Sequence, residues 1–262
     1  VQMLVSAGRG RSKAVKLLPT LRPWWDREPM VAIYAASAID LYGDRQDVDA
    51  AIAIHDEVVE SVGRLWSPAS FQARVRLGAL LLGQLASAAG REGSRRRGEL
   101  VDVGDRLISE VHEVVEAARR KERPDGPEGK AWLTRADAEH ARLHWVAGVT
   151  PPPQEELVRL WSSALAGFET FRHEYELARS RARLAAVLRA AGKTDESQEH
   201  ADAARLVAQR LGAEPLLREL QVPVRARPAR EHRPAGRRPD SASSELTPRE
   251  TEVLGLVAQG RS

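Results

Sequence analysis

From the first residues to about Leu220, apolar side chains recur at intervals of three and four, and no segment sustains the strict alternation of a half-buried strand between turn signals. The pattern predicts a wholly helical body. Its clearest stripe is Leu100, Val103, Leu107, Val111, Val114 and Ala118, widened by Ile108 and Val115, with Asp102, Asp105, Glu110, Glu113 and Arg119 on the other face. A helix patterned in this way buries one side only. Comparable stripes run through Val48, Ile52, His55, Val59 and Val62, through Phe71, Val75, Gly78, Leu82 and Leu85, and through Leu157, Trp161, Leu165 and Phe168.

Short glycine-containing turns, Gly43–Asp47 and Gly192–Glu196, join helices in pairs. After the second turn, Ala201, Ala204 and Ala208 share one face, and small residues there let antiparallel helices approach closely. Paired helices that cannot bury their apolar faces alone stack into a solenoid. The expectation for residues 1–221 is therefore an all-α domain resembling tetratricopeptide repeats, with irregular, degenerate repeats. An irregular helical bundle is the other arrangement this pattern allows. Two charged or proline-rich breaks, Arg119–Gly129 and Thr150–Pro153, fall within the body as exposed loops.

Residues 222–245 lose helical periodicity and are rich in Pro, Arg, Ser and Ala, as expected of a disordered linker and a domain boundary. Arg225, Arg227, Arg230, Arg233, Arg237 and Arg238 stand there against Glu231, Asp240 and Glu245. Beside a DNA-reading domain those arginines would make non-specific, salt-sensitive phosphate contacts; otherwise they solvate the linker. Beyond it, Thr247-Pro248-Arg249-Glu250 is a capping box with Pro at the first helical position. Val253, Leu254, Val257 and Ala258 then form an apolar stripe, Gly260 can take positive φ after the last turn, and Ser262 would cap a following helix.

Residues 246–262 resemble the first helix and turn of the LuxR-type helix-turn-helix. Leu246, Thr247, Arg249, Glu250, Glu252, Val253, Leu254, Leu256, Ala258, Gly260 and Ser262 fall on matching positions. The resemblance makes them scaffold rather than base contacts, with Glu250 and Leu254 bracing the helices that follow in the family. A second likeness runs from Trp161 to Leu220. Trp161, Phe168-Glu169, Tyr175-Glu176-Leu177-Ala178, Arg183-Leu184-Ala185, Gly192 and Leu211–Leu216 look like the last repeats of the large ATP-binding, MalT-like LuxR regulators. That resemblance implies an upstream ATP-binding domain outside this chain, and a solenoid that takes a small-molecule or protein inducer. It further implies self-association, and DNA as the partner of the completed domain. No cofactor is expected within the chain itself. A capped amphipathic helix matching by chance, on a stand-alone repeat adaptor that docks partner proteins, is the competing reading.

Composition narrows the chemistry. Apolar residues make up 42% and charged residues 29% of the 262, and no run approaches the roughly 18 apolar residues of a membrane span. The absence of cysteine excludes disulfides, thiolate nucleophiles and cysteine zinc sites, and makes a reducing cytoplasm the default location. The opening residues lack the order of a signal peptide and read as helix already under way, as in a fragment. A net charge of +3 is mild for a nucleic-acid binder.

Several motifs are set aside. Gly192-Lys193-Thr194 lacks the glycine five residues earlier that a P-loop needs, since Val187 stands there, and Thr194 reads as a helix cap. Gly8–Lys13 lacks the spacing too. His140 and His144 lie one helical turn apart with Glu139 or Asp137 nearby, but Ala141 occupies the place of the zincin glutamate, so no metal site is expected. His55 reads as a core or boundary histidine. No serine is framed as a nucleophile, so no catalytic residue is assigned. The six tryptophans are scattered as core anchors, with Trp24-Trp25 open to reading as a binding surface.

Overall fold

The computed structural model describes residues 2–25, 27–65, 73–121 and 126–221, and every regular element among them is helical. The elements are α1 (Gln2–Gly8), α2 (Leu18–Leu21), α3 (Pro29–Ala35), α4 (Ala38–Asp44), α5 (Val48–Leu65), α6 (Ala73–Ala89), α7 (Ser94–Arg120), α8 (Pro127–Ala147), α9 (Gln154–Phe171), α10 (Glu174–Ala190), α11 (Thr194–Leu211) and α12 (Glu214–Gln221), with 3-10 turns at Ser12–Leu17 and Arg22–Trp24. The chain divides into a unit Val1–Ala229, which holds these elements, and a unit Arg230–Ser262, which lies outside the described residues. The linker arginines, the capping box and the rest of the helix-turn-helix resemblance therefore also lie outside them.

Periodicity places the long helices correctly. On α7 the structure buries Leu100, Leu107, Ile108, Val111, Val114, Val115 and Ala118 and exposes Asp102, Asp105, Glu110, Glu113 and Arg119. On α9 it buries Leu157, Trp161 and Phe168. On α5 the stripe is rotated, with Ala51, Ile54 and Val58 in the core while Ile52 and Val59 are half-buried. α6 departs furthest from its expectation. Its run Leu77-Gly78-Ala79-Leu80-Leu81-Leu82-Gly83-Gln84-Leu85-Ala86 is buried on every side, because α4, α5, α7 and α8 all pack around it. A helix apolar all round is a central helix.

The turns follow local chemistry with two corrections. Gly192 and Gly212 take positive φ of 76° and 65° just past α10 and α11, where a Cβ would be strained. In the first turn the positive φ falls on Gln46 instead of Gly43. Gly43 lies within α4, where the side chain of Gln84 occupies the space a Cβ would need, so its small size serves a helix contact. Thr194, expected as a helix cap, is instead the first residue of α11; Lys193 stands at the cap position and its side chain makes no cap bond.

Consecutive helices pair through short turns, α8 with α9 and α10 with α11. In a linear solenoid each repeat touches only its neighbours. Here the first and last parts of the unit also meet. Arg9 Nε donates to the Leu211 carbonyl at 3.2 Å, Gly8 sits against Tyr175, and Gly10 against Pro215. Trp25, Trp132, Trp145 and Trp161 are buried as anchors, whereas Trp24 is 54% exposed and Trp66 lies outside the described residues. Among the described residues no helix is long and apolar enough to cross a membrane.

Candidate functional site

The least expected chemistry of the helical unit is a set of charged side chains in its interior. On α8, Arg135, Glu139 and Arg142 recur at helical spacing and all face inward; Arg135 and Glu139 have no exposure to water. On α10, Glu176, Arg179 and Arg183 do the same. Alanines 131, 136, 138, 178, 182 and 185 share these buried surfaces and leave room between the two helices that only long side chains cross.

Glu139 is the centre. One carboxylate oxygen accepts from Arg135 Nε and Nη2 at 3.2 and 3.0 Å, and the other from Arg142 Nε at 2.6 Å. Arg183 Nε lies 3.9 Å away. Arg135 extends its other nitrogen, Nη1, to Glu176 across to α10. Arg142 also donates to the Gly83 carbonyl at 2.7 Å and Ser87 Oγ at 3.1 Å, tying α8 to α6. From α10, Arg179 donates both Nη groups to Asp40 of α4, at 3.1 and 2.8 Å, and Gln84 of α6 donates to the same carboxylate at 2.6 Å. Arg183 reaches Glu219 of α12 at 2.7 Å.

Four guanidiniums thus face the carboxylates of Asp40, Glu139, Glu176 and Glu219, so the interior charge is balanced. Burial alone would push the Glu139 carboxyl up, but Arg142, Arg183 and Arg135 outweigh it and hold the group well below the usual carboxylate range. Asp40 is likewise held low, burial being overcome by Arg179 and Gln84. Asp44, at the end of α4, moves the other way: burial and the neighbouring Asp40 charge push it up to about 6. Burial and repulsion from Arg142 bring Arg183 down to about 10.

This network leaves no room for a substrate. The cavity beside it, bordered by Ala182, Ala185, Arg189 and Glu219, holds about 20 Å³, the space of a single water. Its chemistry is positional: four helices from distant parts of the chain are registered through charge pairs that have few alternatives in a dry interior. A larger cleft of about 390 Å³ opens where the ends of the unit meet, lined by Arg9, Arg11, Gln209, Arg210, Leu211, Gly212 and Glu214. Sequence reading missed both places. The charged residues on α8 and α10 were visible at helical intervals, but a charge run ordinarily marks a solvated face, and the burying partners come from other helices.

The residues singled out in the sequence are spread widely. His55 is buried and its Nδ1 lies 3.0 Å from Asp56, as a boundary histidine would. Glu139 turns away from His140 into the network, and Asp137 lies 2.7 Å from His112, so neither joins the His140–His144 pair. Leu246, Thr247, Arg249, Glu250, Val253, Leu254, Gly260 and the six linker arginines lie outside the described residues. Compared with protein-family models, with curated proteins and with solved structures, the chain matches none.

Proposed function

We propose that this chain belongs to a DNA-binding transcription regulator of LuxR type, and supplies the signal-sensing helical-repeat region, a basic tether and the opening of the duplex-reading domain. One observation carries the reading: across residues 246–262 the spacing of Leu246, Thr247, Arg249, Glu250, Val253, Leu254 and Gly260 follows that motif. The order of parts supports it, with an all-helical body first, then an arginine-rich stretch, then the capped helix. No residue of the chain is assigned a catalytic or ATP-binding role.

On this reading a small-molecule inducer occupies the cleft between Arg9, Arg11 and Gly212. A ligand there touches both ends of the unit, and α12, the last described helix, leads directly into residues 222–245. Binding that favours one docked position of α12 would shift the population of self-associating states, to the extent that the ligand discriminates between them. An adaptor that docks partner proteins is the second reading, favoured by the exposed apolar side chains of Trp24 and Met30.

The deciding measurement is binding to duplex DNA by fluorescence anisotropy at several salt concentrations. The chain through Ser262 should bind weakly and without sequence preference, because base-reading helices are not among its residues. Its log affinity should fall with log salt at about 0.9 per phosphate neutralised. Changing the six linker arginines to serine should flatten that slope. Discrimination of one duplex sequence would contradict the claim that only the opening of the duplex-reading domain is present, and absence of any salt-dependent binding would overturn the assignment. An Asn and two further amphipathic helices encoded after Ser262 would favour the regulator over the adaptor.

A further inference from the structure

Asp105 of α7 and His140 and His144 of α8 converge on one point of the surface. Their ligand atoms all lie within 4.8 Å of one another. Asp105 Oδ1 is 2.6 Å from His140 Nε2 and 2.8 Å from His144 Nε2, and the two imidazole centroids are 4.7 Å apart. The juxtaposition has three causes. A spacing of four puts both histidines on one side of α8. Gly104, which sits against Leu143 where a Cβ would collide, lets α7 come close to α8 at this level. Gly148 takes a left-handed conformation of φ 68° and closes the last turn of α8, which brings the Val149 carbonyl within 2.8 Å of His144 Nδ1.

That last contact decides the chemistry. Because the Val149 carbonyl can only accept, His144 carries a proton on Nδ1, and Nε2 is the nitrogen that meets Asp105; a metal there takes the place of the proton the two share, with the ring held as metal-binding histidines commonly are. We propose that Asp105, His140 and His144 form a binding site for a borderline divalent transition metal of the zinc class. Two imidazole nitrogens and one carboxylate oxygen suit such an ion, and not the all-oxygen shells of magnesium or calcium. Bonds of about 2.0–2.1 Å in a tetrahedron put ligand atoms about 3.3 Å apart. From 2.6 and 2.8 Å the carboxylate must therefore back off by roughly 0.5–0.7 Å, and Asp105, half exposed, is free to do so. The same exposure leaves at least one position for water. The ion would clip α7 to α8, joining side chains 35 positions apart in sequence.

The test uses the tag-free chain, titrated with Co(II) and followed by visible d–d absorption, and with Zn(II) by calorimetry. One ion per chain is expected. His140→Gln, His144→Gln and Asp105→Asn should each weaken binding by at least about 10–100-fold, the size of effect that loss of even a hydrogen-bond partner of a ligand has on other metal sites. His112→Gln, at the neighbouring His112–Asp137 pair, should leave it unchanged. Because the three ligands are at the surface, circular dichroism should show the variants folded; zinc should raise the melting temperature of the parent chain and of none of the three. Absence of saturable binding, or an affinity shared by the parent and all three variants, would overturn the site.

Discussion

Glu139 is stable as an anion in a dry interior only while guanidiniums surround it, and three arginines lie within reach of its carboxylate. Changing Glu139→Gln keeps the shape and removes the charge, leaving Arg135, Arg142 and Arg183 facing one another. The expected cost is about 3–5 kcal/mol, read from urea unfolding. Asp40 makes a matching prediction for pH. Its folded-state pKa is lowered from 3.8, so the native state holds the carboxylate more firmly than the unfolded chain does. The resulting stability is complete above pH 3.8 and is lost as pH falls further through the lowered value, so Asp40→Asn should flatten the acid limb of the stability curve. The spacing of Arg135, Glu139 and Arg142 was legible in the sequence. Their partner was not, because Glu176 lies 41 residues from Arg135 and is chosen by how α8 meets α10.

At the scale of elements, α6 and α12 mark the two extremes. α6 is buried on all faces, and Leu82 has no exposure, so Leu82→Ala should cost about 2–5 kcal/mol in thermal or urea unfolding. The apolar run that makes α6 central stands openly in the sequence. Its centrality does not, since one stripe suffices to predict a helix and only the packing of α4, α5, α7 and α8 shows that every face is used. α12 is short, with only Leu216 fully buried along it, and Glu219 holds it to Arg183 of α10. Glu219→Ala should free α12 first. Its amide protons should exchange faster while those of α6 and α8 keep their protection.

Across the whole helical unit, the meeting of its ends departs from a chain of neighbour-only repeats. Asp40 and Arg179 pair across 139 residues of sequence, and Arg9 bonds to Leu211 across 202. Gly10 stands at this seam with φ 66°, its side toward Pro215. Gly10→Ala should cost about 1–2 kcal/mol from the left-handed backbone, plus the displacement of Pro215. The loss should appear as faster exchange of α12 and the last turn of α11. If the cleft beside Gly212 holds the inducer, the same substitution should weaken its binding.

Local pattern was enough for the helical class, the buried faces of α7 and α9, and the glycine turn after α10, because each depends on residues within a turn or two of one another; the left-handed φ at Gly192 and Gly212 was read from the structure. Tertiary structure decided which charges are buried, that Asp105 joins His140 and His144, and that the first and last segments touch. Those contacts link residues tens to hundreds of positions apart, and helical periodicity specifies which face is apolar without specifying which helix will cover it.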